Sequence, residues 1–318
     1  MTIRNLSDIE ALEAQPLSSH RLPRTSYEAL AATAARTPDA KALSFFLSAD
    51  ALAQAFVWTY ADLLADVTRA ANAFHELGVT PENPVAFVLP NLPETHFVIW
   101  GGETAGAALA INPYFEPAQI ANLMKTAHAR VLVTLAPNPA VDLWTKLAPY
   151  LDALPDLKTV ALVDAMSYAG AGAGPRDFSA VSLAGVDVLD FRDALRAQPP
   201  DRLLAPQALS SDRVCSYFCT GGTTGAPKIA VRTHRNEIFD AWSAAQMVET
   251  RQSSRTTLSG LPLFHVNAQL VTGLQAWMRG DHVVLATPEG YRGKNVIAKF
   301  WEIVAHYRVT TFSGVPTI

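Results

Sequence analysis

The chain has 318 residues, 49% of them hydrophobic and 17% charged. That is too apolar for a disordered polypeptide and long enough for two domains at roughly 100–200 residues each. A formal charge of −4 gives no basic excess to track a nucleic-acid backbone, and no basic amphipathic stretch suits an anionic membrane surface. From residue 57 the sequence alternates between helical and strand patterns. WTYADLLADVTRAANAFHELG predicts a helix, capped by Thr59 with Asp62 three residues on and stopped by Gly78. A buried strand is expected over 85–89, a helix opened by Pro93, an apolar run over 107–111, a helix over 117–128 and a strand over 131–134. A helix over 140–151 and a strand over 159–163 follow. Residues 167–177 (SYAGAGAGPRD) read as a Gly-rich loop or linker, and the text to Pro206 is weakly patterned. Alternation resumes with strands over 214–218, 256–261, 282–286 and 309–312, and helices over 236–249, 267–278 and 295–306.

Strands that alternate with helices imply parallel sheets covered on both faces, joined by right-handed crossovers. The fold class expected is therefore α/β, with doubly wound, mostly parallel sheets.

Cys215 and Cys219 are the two cysteines. Four apart on one strand, they share a face but lie too far apart to bridge. No second Cys or His pair has ligand spacing, so both read as strand-packing residues and no metal ligand is expected. Two lone thiols fit a reducing compartment. The N-terminus is interrupted by Asp8, Glu10 and Glu13, and the longest apolar stretches carry a Glu and several Gly. Neither a signal peptide nor a transmembrane segment is expected, and the localisation expected is cytoplasmic.

The informative segment is CTGGTTGAPK, from Cys219 to Lys228, directly after a predicted strand. Gly221, Gly222 and Gly225 allow close approach of a ligand to the backbone. Thr220, Thr223 and Thr224 offer hydroxyls, successive amides can form an anion-binding concavity, and Lys228 adds a point charge. The string is neither G-x-x-x-x-G-K-[ST] nor G-x-G-x-x-G. On composition it reads equally as a phosphate cradle or as a Gly/Thr-rich turn with a solvated lysine. His265 and Asn267 lie in LPLFHVNAQ. Taken alone, His265 reads as a core histidine held by a carbonyl.

The order of residues in T-G-G-T-T-G-x-P-K closely resembles the phosphate-loop signature of the adenylate-forming superfamily, of the acyl-CoA synthetase type. WTYADL (58–63), the stretch 77–113, LPLFHVNAQ (261–269) and SGVPTI (313–318) resemble further family motifs in family order. The resemblance implies that Thr220, Gly221, Gly222, Thr223, Thr224, Gly225 and Lys228 hold ATP phosphates. It implies that His265 and Asn267 line the acyl site, with Lys228 and His265 in catalytic roles. The second position of the loop is Ser in many members and Gly here.

The activity implied is a ligase. A carboxylic acid, expected to be a fatty acid, attacks Mg-ATP to give an acyl-adenylate and pyrophosphate, and coenzyme A then takes the acyl group. ATP, Mg²⁺ and coenzyme A are the implied cofactors. Aryl-CoA ligation, carrier-protein adenylation and a non-catalytic nucleotide- or acyl-binding fragment are the alternatives. The resemblance also implies subdomains: 1–78 together with 212–318, carrying the phosphate loop, and 79–211. Family segments for adenine, ribose and magnesium, and the C-terminal lid domain, have no counterpart in these 318 residues. The expectation is an N-terminal portion, inactive alone.

Overall fold

The computed structural model describes residues 3–138, 141–169, 178, 180–206, 209–220, 228–247 and 255–316. Two helices, α1 (Leu6–Glu13) and α2 (Ser26–Arg36), precede β1 (Lys41–Phe45) and β2 (Phe56–Thr59). The alternating region follows as α3 (Tyr60–Glu76), β3 (Val85–Val88), α4 (Pro93–Ala105), β4 (Ala108–Ala110), α5 (Pro117–Thr126) and β5 (Val131–Leu135). Next come α6 (Leu143–Leu147), β6 (Thr159–Val163), β7 (Asp187–Asp190), α7 (Phe191–Arg196), β8 (Val214–Thr220) and β9 (Lys228–Thr233). The last elements are α8 (His234–Gln246), β10 (Thr256–Ser259), α9 (Gln275–Arg279), β11 (His282–Leu285), α10 (Phe300–Tyr307) and β12 (Thr311–Phe312).

Two sheets result. One has the order β12-β10-β11-β1-β2 and the other β7-β6-β5-β3-β4-β8-β9. Each is parallel except at one edge, where β2 and β9 run antiparallel to β1 and β8. The α/β class and mostly parallel sheets read from the sequence are present. The period-2 rule explains how the seven-stranded sheet is covered on both faces. Val85 and Phe87 of β3 join a core that also holds Leu43, Phe45, Val283 and Leu285 of the other sheet. Ala86 and Val88 face a second core with Ile120, Met124 and Leu147. The first core runs through Leu63, Val67 and Ala70 of α3 and Val98 and Ile99 of α4, so one apolar interior joins the two sheets.

The capping box on α3 is formed, with the Thr59 hydroxyl accepting from the Asp62 amide and the Asp62 carboxylate accepting from the Thr59 amide. Gly78 takes a φ of 76° just past the helix, where a side chain would be strained.

β1 and β2 share a sheet with β10, β11 and β12, whereas β8 and β9 belong to the seven-stranded sheet, because Ser216–Phe218 pairs with the open edge of β4 at Ala108–Ala110. Alternation shows where strands lie but not which open edge receives them. β7, α7 and β9 lie where no element was expected. The predicted helix over 267–278 is π-helical from Asn267 to Leu274 and α-helical only after it. Residues 170–177 of the predicted linker lie outside the described residues. Among the described residues no helix is long and apolar enough to cross a membrane.

Candidate active site

In open parallel sheets, ligands gather beyond the carboxyl ends of the strands. Here those ends converge from both sheets. The turn after β3 brings Asn91, the turn after β4 brings Pro113 and Tyr114, the turn after β10 brings 260–265, and the turn after β11 brings Pro288 to Arg292. Asn91 ties three of these turns together. Its amide nitrogen donates to the Leu261 carbonyl at 2.9 Å and its side-chain oxygen accepts from the Leu263 amide at 2.9 Å. Its backbone amide donates to the Pro288 carbonyl at 3.0 Å. Asn91 is buried, so this seam between the sheets is shielded from water.

A cleft of about 600 Å³ opens beside the seam, between Gly260, Pro262, His265, Asn267, Tyr291 and Ile297. That size suits a small-molecule site. Its floor depends on two glycines. A Cβ on Gly260 would stand 2.5 Å from the Tyr291 ring, and one on Gly290, at φ 60°, would stand 2.1 Å from the Gly260 carbonyl oxygen. This close approach lets the Tyr291 amide donate to the Gly260 carbonyl at 2.8 Å.

The residues 261–265 form a tight turn, closed by the His265 amide donating to the Pro262 carbonyl at 3.0 Å. Gln269 braces it, its side-chain nitrogen donating to the Leu263 carbonyl at 2.7 Å. His265 is exposed on the cleft side with its ring 4.6 Å from that of Phe264. Partial burial lowers its pKa below the ordinary imidazole value, so it is chiefly neutral at pH 7. Asn267, first residue of the π-helix, lines the same cleft, and its side-chain oxygen is shielded with no hydrogen-bond partner among the described residues. π-helical turns recur at functional sites.

The structure thus brings His265 and Asn267 to one wall. Thr220 is the last residue of β8 and Lys228 the first of β9, and the two face each other in the antiparallel register. Gly221, Gly222, Thr223, Thr224 and Gly225 lie outside the described residues. Because β8 is parallel to β4, Thr220 lies at the same end of the sheet as Tyr114, which follows β4.

The sequence reading took Asn91 only as a turn former beside a proline, and did not single out Tyr291 or Arg292. N-L-P before a helix signals a turn, but nothing local reveals that the amide crosses to a segment 170 residues away. Asn112 does shape its own turn, accepting from the Tyr114 amide at 2.9 Å.

In comparison with known proteins, residues 30–318 match the AMP-binding enzyme family. The chain belongs to that family. It is 33% identical over 99% of its length to a marinolic acid–CoA ligase of Pseudoalteromonas sp. (strain SANK 73390), of which it spans 46%. It is 27% identical over 82% of its length to a crotonobetaine/carnitine–CoA ligase of Shigella dysenteriae, again spanning 46% of that protein. Among solved structures, an anthranilate–CoA ligase in complex with anthranoyl-AMP superposes with a TM-score of 0.74 at 21% identity, covering 95% of this chain and 52% of the other. The N-terminal domain of FACL13 from Mycobacterium tuberculosis gives 0.67 at 20% identity, covering 92% and 63%. The two sheets are therefore the fold of the N-terminal domain of acyl-CoA ligases, and the chain spans about half the length of the curated relatives it matches.

Proposed function

We propose that the chain supplies the phosphate-binding and acyl-binding half of an ATP-dependent acid–CoA ligase. The observation that supports the reading is the cleft walled by His265 and Asn267 beyond the carboxyl end of β10, with Thr220 at the carboxyl end of β8 in the other sheet. Adenylation brings a carboxylate against a polyphosphate, so cations and fixed dipoles must offset the repulsion and the charge gathering on pyrophosphate. Lys228, at the start of a strand, carries positive charge to the β8–β9 hairpin. Thr220, Gly221, Gly222, Thr223, Thr224 and Gly225 offer amides and hydroxyls to the β- and γ-phosphates. Neutral His265 packs beside the acid without giving its carboxylate a competing cation, and the free oxygen of Asn267 accepts a donor from substrate or from water.

Magnesium fits as an ion carried mostly by the nucleotide, since it keeps waters and takes one or two carboxylates alongside substrate phosphates. Among the described residues lining the cleft the carboxylate is Glu289. When bound, the ion would neutralise phosphate charge. Coenzyme A is the proposed acyl acceptor, as in the relatives' names. The acid proposed is a fatty acid, supported by the apolar share of the cleft wall, Leu261, Tyr291, Ile297 and Val315. Acting alone, the 318 residues are proposed not to complete the thioester, because they span about half of the relatives' length.

Pyrophosphate release over a panel of fatty, aryl and carnitine-like acids tests this on the chain extended to the relatives' length. Acid-dependent release followed by acyl-CoA supports the reading. No release with any acid, or release that does not depend on Lys228, would overturn it.

A further inference from the structure

Away from the cleft, the base of the β8–β9 hairpin holds a group of side chains that the ligase chemistry does not use. Glu103 of α4, Cys215 of β8 and His234, the first residue of α8, are fully buried. One potential ligand atom from each lies within 4.8 Å of the other two. Glu103 lies more than 100 residues before the other two, and Cys215 and His234 stand 19 apart, so no short ligand spacing appears in the sequence.

Two features point to a ligand rather than to packing. His234 Nδ1 is buried with no hydrogen-bond partner among the described residues, and Glu103 Oε1 has none there apart from the neighbouring Glu237 carboxyl. Glu103 is also fixed in orientation, since the Ser26 hydroxyl donates to its other oxygen at 2.7 Å. Ligand atoms about 2.0–2.3 Å from a tetrahedral ion stand about 3.3–3.8 Å apart, so a contraction of about 1 Å would close the site. We infer that Glu103, Cys215 and His234 form a structural site for a zinc-class divalent cation at the root of the hairpin. A thiolate, an imidazole and a carboxylate are the donor set such borderline-soft ions take.

The charges around the site are compatible with this. Arg232 pairs with Glu237 at 2.8 Å. Arg213 donates to the Glu103 and Thr104 carbonyls at 2.6 and 2.8 Å, and its Nη2 is 3.4 Å from His234 Nε2. The ion would be held by the thiolate and carboxylate forms of Cys215 and Glu103, their protons passing to solvent, with no change of oxidation state. The ion would join α4, β8 and α8, bracing the strands whose far ends present Thr220 and Lys228.

The test uses the 318-residue chain produced in medium with Co²⁺ in place of Zn²⁺, followed by metal analysis and absorption spectroscopy. One Co²⁺ per chain and a thiolate-to-cobalt charge-transfer band are expected. Cys215→Ala should abolish the band and Cys219→Ala should retain it, while Glu103→Gln should weaken retention against a competing chelator by at least about tenfold. Should the variants fail to fold, the unmodified chain still decides the matter. Its band must fade on acidification, and bound metal must raise its melting temperature. A chain purified without metal, a band that follows Cys219, or a band indifferent to Cys215→Ala would overturn the site. Glu103 would then be a buried carboxyl hydrogen-bonded to Glu237.

Discussion

Replacing Asn91 by alanine tests whether the seam between the sheets is built as described. The substitution removes one donor and one acceptor, each 2.9 Å from its partner, and leaves the Leu261 carbonyl and the Leu263 amide buried without partners. An orphaned buried polar group costs about 1–3 kcal/mol. Two of them set the expected loss at about 2–5 kcal/mol, after allowing for partial relaxation. Set against a typical total stability of about 5–15 kcal/mol, this is a large fraction. Urea unfolding followed by tryptophan fluorescence reads the loss directly, and Trp100 and Trp277 are fully buried reporters. Asn91→Asp is the informative companion. It keeps an acceptor for Leu263, loses the donor to Leu261 and buries a carboxyl, so it should also destabilise. A loss below about 0.5 kcal/mol for Asn91→Ala would mean that water or a shifted turn satisfies both groups, and the account of the seam would be wrong.

Lys228→Ala, in the chain extended to the relatives' length, should lower the adenylation rate about tenfold or more, since a charged contact to phosphate contributes about 1.5–3 kcal/mol; a rate within twofold of the original would make Lys228 a bystander. Gly290→Ala should destabilise more than Gly260→Ala, because the added methyl meets a backbone carbonyl at a positive φ rather than the edge of a ring; paired melting curves with the reverse order would refute the packing argument. Burial holds His96 at about 3, far below the ordinary 6.5, so the unfolded chain takes up that proton first and the stability from neutral His96 is lost as pH falls from about 6.5 towards 3. His96→Phe should therefore flatten the acid side of the stability curve, a comparison with the parent that is needed because Glu94 and Glu103, with raised pKa values, act in the opposite direction; parallel curves would argue against it. The 318 residues alone should give no acyl-CoA from ATP, acid and coenzyme A, and thioester formation at enzymatic rates would overturn that expectation.

Much of the fold is legible because local signals are strong where burial is symmetrical. β3, β5 and β6 are short apolar runs buried on both faces, and α3 announces both of its ends through Thr59, Asp62 and Gly78. β9 was not legible. KIAVRT is an edge strand whose side chains are half-exposed or exposed, so it lacks the continuous apolar run of a buried strand, and a glycine-rich string before it draws the eye to the loop. β7 and α7 escaped for a related reason. β7 is held by its ladder to β6, and α7 by Phe191 and Leu195 in the core and by Arg192, which pairs with Glu94 at 3.0 Å, contacts between distant segments rather than a pattern within one. The same distinction governs the cleft. His265 and Asn267 stand in a contiguous motif, whereas Asn91 and Tyr291 matter through partners far along the chain. The π-helical turns after Asn267 have no signature that separates them from an α-helix, because both bury Leu270 and Leu274.

The antiparallel pairing of Thr220 with Lys228 acts as a ruler for the proposed phosphate site. The ladder of β8 with β9 sets the position of the lysine, so residues gained or lost between the two should leave it in place. A single residue added or removed within 228–233 is a different event. Side chains alternate across a strand, so a slip of one position would turn the lysine to the opposite face of the sheet and Ile229 towards the ligand. Length variation among related sequences should therefore be tolerated at the tip of this hairpin and excluded from its second strand, and a library of insertions scored for nucleotide binding would draw that boundary at Lys228.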